Sequence, residues 1–175
     1  MPETVIHEIP PVWNAESRVL ILGTMPSPKS REQGFFYMHP QNRFWRVLPA
    51  VFGEILTTKN NDSEREKAIR ERKDFLLRHK IALWDVLSSC EIDGASDSSI
   101  KNALPNDFSE IFEKTKIRRV FCTGKTAFSL WQKFCAPLYE PQFNIKTTCL
   151  PSTSPANAAW TVERLTAEYS AIKES

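Results

Sequence analysis

The sequence predicts an α/β fold of three layers, in which a central, mainly parallel four-stranded sheet is covered by helices on both faces. Two observations carry this prediction. Short apolar runs that stop at a glycine or a polar residue, such as residues 19–22, are typical of strands buried on both faces. Stretches with helical spacing of apolar residues alternate with these runs, which favours parallel strands joined by crossover helices.

The predicted elements follow an irregular lead-in over residues 1–17 and belong to one domain over residues 1–175. Apolar or β-branched runs predict strands at residues 19–22, 81–86, 118–123 and 147–150. Apolar spacings of three and four residues predict helices from Asn42, within 59–80, over 106–116 and 124–134, and from Pro155. Residues 87–99 form a polar loop at a strand end, and a proline-rich connection precedes the last strand.

The composition is that of an ordinary globular protein. With 175 residues, of which 41% are hydrophobic and 25% charged, the chain can bury a core without disulfides or metal. The formal charge of +2 neither identifies nor forbids nucleic-acid binding, because a local basic face matters more than the total. No apolar stretch approaches the ~20 residues of a membrane span, and the amino terminus lacks the apolar run of a signal peptide. We expect a cytoplasmic protein without a membrane partner.

The four cysteines are widely separated and form no Cys-x-x-Cys pair: Cys90, Cys122, Cys135 and Cys149. Cys122 and Cys149 lie within apolar or β-branched runs, where a cysteine is most often a small buried hydrophobe. Buried thiols are therefore favoured over ligands or disulfides. The sequence implies no metal and no cofactor.

A loop of nearly twenty residues separates the first predicted strand from the first helix. Gly23, Pro26, Pro28, Gly34 and Pro40 interrupt it. Loops of this length inside a small domain usually carry function. This one leaves the carboxyl end of a strand, where open α/β sheets bind their ligands, so we expect it to form part of a site.

Three motifs carry a resemblance to a known family. They read Gly23-Thr24-Met25-Pro26-Ser27, then Tyr37-Met38-His39-Pro40-Gln41-Asn42-Arg43-Phe44-Trp45, and Leu150-Pro151-Ser152-Thr153-Ser154-Pro155. Their order, with two predicted strands between them, resembles the uracil-DNA glycosylase superfamily, and most closely its hypoxanthine-DNA glycosylase (DNA-deoxyinosine glycosylase, family six) branch. The resemblance implies a three-layer fold and a metal-free, monomeric enzyme of base-excision repair that acts on DNA containing deaminated bases.

By this resemblance, the first two motifs would surround a base that has left the duplex. Tyr37 matches the aromatic ring beneath the base, although neighbouring aromatic residues also suggest simple core packing. Stacking on such a ring is worth roughly 1–3 kcal/mol per base. Gly23, Thr24 and Met25 would lie around the same base. His39 could be a general acid or base, although a histidine before proline is as often structural.

Asn42 is the candidate catalytic residue. It matches an asparagine regarded as essential in the hypoxanthine branch, and a carboxamide can both read a purine edge and align a water. Asparagine is also a preferred helix cap. By the same resemblance, Met25 stands where many members carry an aspartate or asparagine that positions water. A thioether cannot do so, which disfavours uracil excision and leaves that role to Asn42 or to the backbone groups of residues 24–27. Asp85 or Asp97 could supply a carboxylate instead.

Short polar side chains are the candidate DNA contacts, because phosphate oxygens accept hydrogen bonds close to the main chain. The set comprises Pro26, Ser27, Ser152, Thr153, Ser154 and Asn157. A mere capping turn is the alternative for residues 152–154. Asn157 stands near the place of an arginine wedge in some relatives and could fill the gap left by the base.

These observations favour a monofunctional DNA glycosylase that hydrolyses the bond between hypoxanthine and deoxyribose. No lysine is placed for a Schiff base, so strand cleavage is not expected. A uracil or mismatched-thymine glycosylase is one alternative. A nucleic-acid-binding domain that retained the fold without the chemistry is the other.

Overall fold

A computed structural model describes residues 2–59 and 61–175; Met1 of the predicted lead-in and Asn60 of the predicted 59–80 helix lie outside this range. The strands are β1 (Glu3–Ile6), β2 (Val19–Gly23), β3 (Ile81–Asp85), β4 (Leu87–Asp93), β5 (Ser96–Pro105), β6 (Arg119–Thr123) and β7 (Lys146–Leu150). The helices are α1 (Pro28–Gln33), α2 (Phe44–Val51), α3 (Arg65–Arg78), α4 (Ser109–Lys114), α5 (Lys125–Phe134), α6 (Ala136–Phe143) and α7 (Val162–Tyr169). Short 3-10 turns, Asp62–Glu64 and Ser170–Ile172, adjoin α3 and α7.

The predicted parallel sheet is confirmed, with strand order β3-β2-β6-β7. Successive side chains of β2 point to opposite faces. Val19 and Ile21 join a core that includes α2, α3 and α7, whereas Leu20 and Leu22 join a second core that includes α4, α5 and α6. Burial on both faces explains why the apolar run of β2 is continuous, and it confirms the three-layer arrangement.

A second, antiparallel sheet of order β1-β4-β5 was not predicted. Its strands occupy part of the expected lead-in and the expected polar loop, so both expectations were wrong at these positions. Most residues of β5 are exposed or half-buried, and register shifts interrupt its pairing with β4. Because β5 has no buried face, apolar and polar residues alternate only weakly along this strand, and the sequence did not predict it. A turn at Gly94, where φ is 61°, joins the two strands into a hairpin.

Several helix boundaries differ from the predicted ones because side-chain caps decide where a helix starts. The last helix begins at Val162 rather than Pro155, since the Thr161 hydroxyl accepts the backbone N–H of Arg164 at 3.2 Å. The helix predicted within 59–80 is preceded by the 3-10 turn Asp62–Glu64, which Asn61 caps, since its Oδ1 accepts the backbone N–H of Glu64 at 3.0 Å.

Two short helices lie where none was predicted. Helix α1 occupies part of the long loop, and α6 occupies the proline-rich connection.

Three of the four cysteines are buried as expected: Cys90, Cys122 and Cys135. Cys149 is exposed because β7 is the edge strand of the sheet.

The parallel sheet positions the site, because the carboxyl ends of its strands meet at one edge. Gly23 at the end of β2 is paired with Asp85 at the end of β3. On the other side, Thr123 of β6 is paired with Leu150 of β7. The loop after β2 and the turn after β7 therefore leave the sheet side by side. Within the described residues, no helix is long and apolar enough to cross a membrane.

Candidate active site

A cavity of about 340 Å³ opens at the carboxyl edge of the parallel sheet. Its walls come from the loop after β2, the ends of β3 and β6, the turn after β7 and the tip of the β4–β5 hairpin. The predicted site residues that line it are Gly23, Thr24, Met25, Pro26, Ser27, Tyr37, His39, Asn42, Ser152, Thr153 and Ser154. The sheet therefore brings together side chains that are far apart in sequence.

Tyr37 provides a flat wall of the cavity. Its ring stacks on Phe44, with ring centroids 3.9 Å apart and an interplanar angle of 11°. Because Phe44 covers one face, the face that remains for a ligand is the one on the cavity side. The backbone of Tyr37 has φ of 55°, in the left-handed region that a bulky residue rarely adopts. Such strain is typical of functional sites.

The hydroxyl of Tyr37 is held by Thr123, a residue that sequence reasoning missed. The two hydroxyl oxygens are 2.8 Å apart. Thr123 Oγ1 donates its own proton to the backbone carbonyl of Leu22 at 3.3 Å, so Tyr37 is the donor in their bond. Burial, and then the nearby charge of Asp85, raise the pKa of Tyr37 well above its ordinary value. Tyr37 therefore remains a neutral donor with a fixed ring.

Asp85 lies at the floor of the cavity, where Gly23 leaves space for it. A Cβ on Gly23 would be 2.5 Å from Asp85 Oδ1 and 2.7 Å from the Tyr37 hydroxyl oxygen. Asp85 Oδ2 accepts a hydrogen bond from His7 Nε2 at 2.8 Å. Oδ1 makes no hydrogen bond within the described residues, so it is the oxygen that can accept one from a ligand.

His7 comes from the segment just after β1 and was not predicted to contribute. Its side chain is 1% exposed and that of Asp85 is 5% exposed, so the pair is shielded from solvent. The second ring nitrogen of His7, Nδ1, is buried and has no hydrogen-bond partner among residues 2–59 and 61–175. Asp97 lines the cavity wall, where the surrounding protein atoms and then the charge of Asp85 raise the pKa of its carboxyl group.

Asn42 lines the cavity and lies one residue before Arg43, which is the N-cap residue of helix α2. Its Oδ1 accepts the backbone N–H of Phe44 at 2.9 Å and the hydroxyl of Thr153 at 2.8 Å. Asn42 therefore orders the chain at the start of α2 through Oδ1, and it also lines the cavity. Nδ2 makes no hydrogen bond within the part of the chain that the structure describes, so the two protons on that nitrogen are available to a ligand.

The turn after β7 is held mainly by its own hydrogen bonds. Ser152 Oγ accepts the backbone N–H of Ser154 at 3.1 Å, and Ser154 Oγ accepts that of Ala156 at 3.2 Å. Thr153 is 1% exposed and its hydroxyl is directed at Asn42. Asn157 does not line the cavity; its Nδ2 donates to the carbonyl of Ser152 at 2.9 Å.

Arg43 joins the second motif to this turn. Its guanidinium donates to the backbone carbonyls of Ser154 at 2.9 Å and Asn157 at 3.1 Å, and also to that of Trp160. The backbone N–H of Arg43 donates to the carbonyl of Thr153 at 3.1 Å. The arginine adjacent to Asn42 therefore sets the position of the turn that contacts Asn42.

The remaining predicted residues form the walls and the rim. Met25 packs against the core under the antiparallel sheet and presents an apolar surface to the cavity. Ser27 caps α1, since its Oγ accepts the backbone N–H of Ser30 at 3.2 Å. His39 also lines the cavity, and its Nδ1 accepts the backbone N–H of Gln41 at 3.1 Å. Thr24 and Pro26 complete the wall.

Sequence reasoning missed the contributions of His7, Arg43, Thr123 and the β4–β5 hairpin. Thr123 had a usable signal, because it ends a predicted parallel strand. His7 had none, since its role depends on a strand from the lead-in that pairs with β4.

A cavity with an aromatic wall, a carboxylate acceptor and a carboxamide donor can bind a flat heterocycle by stacking and by hydrogen bonds to its edge. The fold and site thus define an α/β protein whose cavity has the groups needed to hold a nucleobase or a similar ring.

Comparisons with known proteins agree with this class. The model of the uracil DNA glycosylase superfamily matches residues 10–173. A hypoxanthine DNA glycosylase of Methanosarcina barkeri is 32% identical over 152 residues, which cover 85% of each chain. A hypoxanthine DNA glycosylase of Methanosarcina acetivorans is 32% identical over 159 residues, which cover 89% of this chain and 90% of the relative.

A solved structure shows the same fold. The solution NMR structure of a candidate uracil DNA glycosylase from Methanosarcina acetivorans superposes with a TM-score of 0.73 at 28% identity, covering 98% of this chain and 99% of the other. This chain belongs to the uracil-DNA glycosylase superfamily. The predicted family, fold and activity class, that of a DNA glycosylase, are thereby confirmed.

Proposed function

We propose that this DNA glycosylase removes hypoxanthine from DNA by hydrolysis, acting as a cytoplasmic monomer without a metal or cofactor. Two relatives that match most of the chain are named hypoxanthine DNA glycosylases. The apolar Met25 stands where, by resemblance, uracil-specific members position a water. Both observations support a deaminated purine rather than uracil.

The observation that carries the proposal is the free oxygen of Asp85 at the cavity floor. A carboxylate can only accept hydrogen bonds when ionised. Adenine has no ring N–H for it, whereas hypoxanthine, the product of adenine deamination, carries a proton on N1. A buried acceptor that is left without its donor is costly, so adenine would be rejected and hypoxanthine retained.

The proposed reaction begins with eversion of the nucleotide, because a base inside the duplex cannot reach the cavity. The base stacks on Tyr37 with its N1 edge at Asp85. The bond from sugar C1′ to base N9 breaks, its electron pair goes to the base, and C1′ gains positive character. A water oxygen then bonds to C1′. The proton it loses balances the charge taken up by the base, which leaves hypoxanthine and an abasic sugar.

The test is single-turnover incubation with end-labelled duplexes that carry one deoxyinosine, deoxyuridine or deoxyadenosine, followed by alkali. We expect cleavage at deoxyinosine only, and only after alkali, because a monofunctional enzyme leaves the strand intact. Faster excision of uracil would replace this proposal by the uracil-specific alternative. Salt-sensitive binding without an abasic product would replace it by the non-catalytic one.

A further inference from the structure

The orientation of the Asn42 carboxamide follows from its partners. The backbone N–H of Phe44 can only donate, so the atom facing it at 2.9 Å has to be the oxygen, Oδ1. The Thr153 hydroxyl donates to the same oxygen at 2.8 Å. A carbonyl oxygen has two lone pairs, and both are occupied. The side chain therefore faces the cavity as a donor through Nδ2, without a spare acceptor.

We propose that Thr153 is a positioning residue that holds Asn42 as a donor to the departing base, rather than a residue that binds DNA phosphate. This inference rests on the proposed function. A carboxamide that aligned the attacking water would accept a proton from that water, and Asn42 has no lone pair left for this purpose. Its N–H groups instead stabilise the electron pair that the base receives as the bond between C1′ and N9 breaks.

The surroundings of Thr153 support a positioning role. The residue is 1% exposed, so its hydroxyl lies beyond the reach of a phosphate at the surface. Its carbonyl accepts the backbone N–H of Arg43, the neighbour of Asn42, at 3.1 Å. The main chain and the side chain of Thr153 thus hold two adjacent residues of the second motif.

The first experiment compares Thr153→Val and Thr153→Ser with Thr115→Val. Thr115 is a matched control, because it is also buried, its hydroxyl donates to the carbonyl of Ile111 at 2.7 Å, and it precedes β6 at the opposite edge of the sheet. We expect T153V to lower the single-turnover excision rate about tenfold, the effect of one hydrogen bond. T153S restores the rate to within about twofold because it keeps the hydroxyl, and T115V leaves it unchanged.

Binding separates positioning from phosphate contact. Affinity for a duplex with a tetrahydrofuran abasic analogue, and its dependence on salt, should be the same for T153V and wild type. Loss of a phosphate contact would weaken binding and reduce the salt slope by about one. That result, or a wild-type excision rate in T153V, would overturn the proposal.

Leaving-group dependence tests how Asn42 acts. Fluorine at C2 of hypoxanthine withdraws electrons and makes the base leave more readily, so 2-fluoro-2′-deoxyinosine needs less help from a donor. We expect the rate defects of Asn42→Ala and T153V to shrink several-fold on this substrate. Equal defects on both substrates would show that Asn42 serves the water and would refute the proposal.

A readout without catalysis separates this inference from the proposed substrate. The side-chain carbonyl carbon of Asn42, assigned by its disappearance in Asn42→Ser, should shift in the NMR spectrum of T153V but not of T153S. Wild type that leaves deoxyinosine intact would refute the substrate, whereas an unmoved carbonyl resonance in T153V would refute the role of Thr153.

Discussion

The two edges of the parallel sheet carry hollows of similar size but different chemistry. The cavity at the carboxyl edge has about 340 Å³, and a groove at the amino edge beside Arg18 and His79 has about 310 Å³. Near the amino edge, Glu54 accepts hydrogen bonds from Arg78 at 2.9 Å and from His79, so these charges satisfy one another. At the carboxyl edge, Asn42 and Asp85 each use one polar side-chain atom in hydrogen bonds to the protein, and the other such atom of each has no partner in the part of the chain that the structure describes.

This difference indicates what distinguishes a site from a hollow. Buried polar groups in folded proteins are normally paired. A polar group that is anchored at one atom and free at the other has a fixed direction and an unmet hydrogen bond, which a ligand can complete. The two hollows have similar volumes, so volume does not show which of them is a binding site. The difference between them is whether each hydrogen-bonding atom already has a partner in the protein.

The largest expected effect comes from Asn42→Asp, which keeps an oxygen for the backbone N–H of Phe44 at the start of α2 but removes the N–H donor at the carboxyl edge. We expect the single-turnover excision of hypoxanthine to fall by roughly 10²–10³-fold or more, since loss of one preorganised donor has this effect. Melting temperature should stay close to wild type. Excision by N42D at a rate near that of wild type would show that the N–H groups of Asn42 do not take part in the reaction.

A smaller loss is expected for Gly23→Ala, which fills the space between Asp85 and Tyr37. Because the added Cβ would be only 2.5 Å from Asp85 Oδ1, both groups have to move, and excision should fall roughly 10–100-fold with destabilisation of about 1–3 kcal/mol. Gly53→Ala is the control, since its Cβ would meet open space although φ is 70°. It should lower stability by about 1 kcal/mol and leave excision unchanged, as measured by urea unfolding and by kinetics.

Asp85→Asn probes the unmet hydrogen bond at the cavity floor. A carboxamide that turns its N–H toward N1–H of the base opposes donor to donor, so excision of hypoxanthine should fall about tenfold. A deoxynucleotide of 1-methylhypoxanthine has no N1–H, and wild type should therefore process it poorly while D85N loses this discrimination. Equal discrimination by both proteins would remove Asp85 from base recognition.

The smallest effect is expected for Glu54→Gln near the amino edge. Hydrogen bonds from Arg78 and then His79 lower the pKa of Glu54 below its ordinary value of 4.5. Its contribution to stability is therefore present above that value and is lost as pH falls through the lowered pKa. We expect a slight decrease in melting temperature near pH 7 that disappears in acid, with excision unchanged. A catalytic defect in E54Q would contradict the contrast between the two edges.

Much of the site could be predicted because local sequence carries it. The motifs that resemble the family supplied the site residues, and the buried strands placed those motifs at the carboxyl edge of the sheet. Every predicted site residue except Asn157 lines the cavity. His7 and Thr123 escaped prediction for a different reason. Each acts through a partner far away in the chain, Asp85 and Tyr37, and neither pairing leaves a local pattern.

The amino-acid sequence by itself determined the parallel sheet and most of the helices that cover it, because strands buried on both faces and amphipathic helices follow from the periodicity of apolar residues. Only the tertiary structure decided which atom of each polar side chain is used within the protein. Thr153 and Phe44 occupy the oxygen of Asn42, and His7 occupies one oxygen of Asp85. Contacts between segments that are distant in the chain decide which atom of a polar side chain faces the cavity. The identity of the residue alone does not specify those contacts.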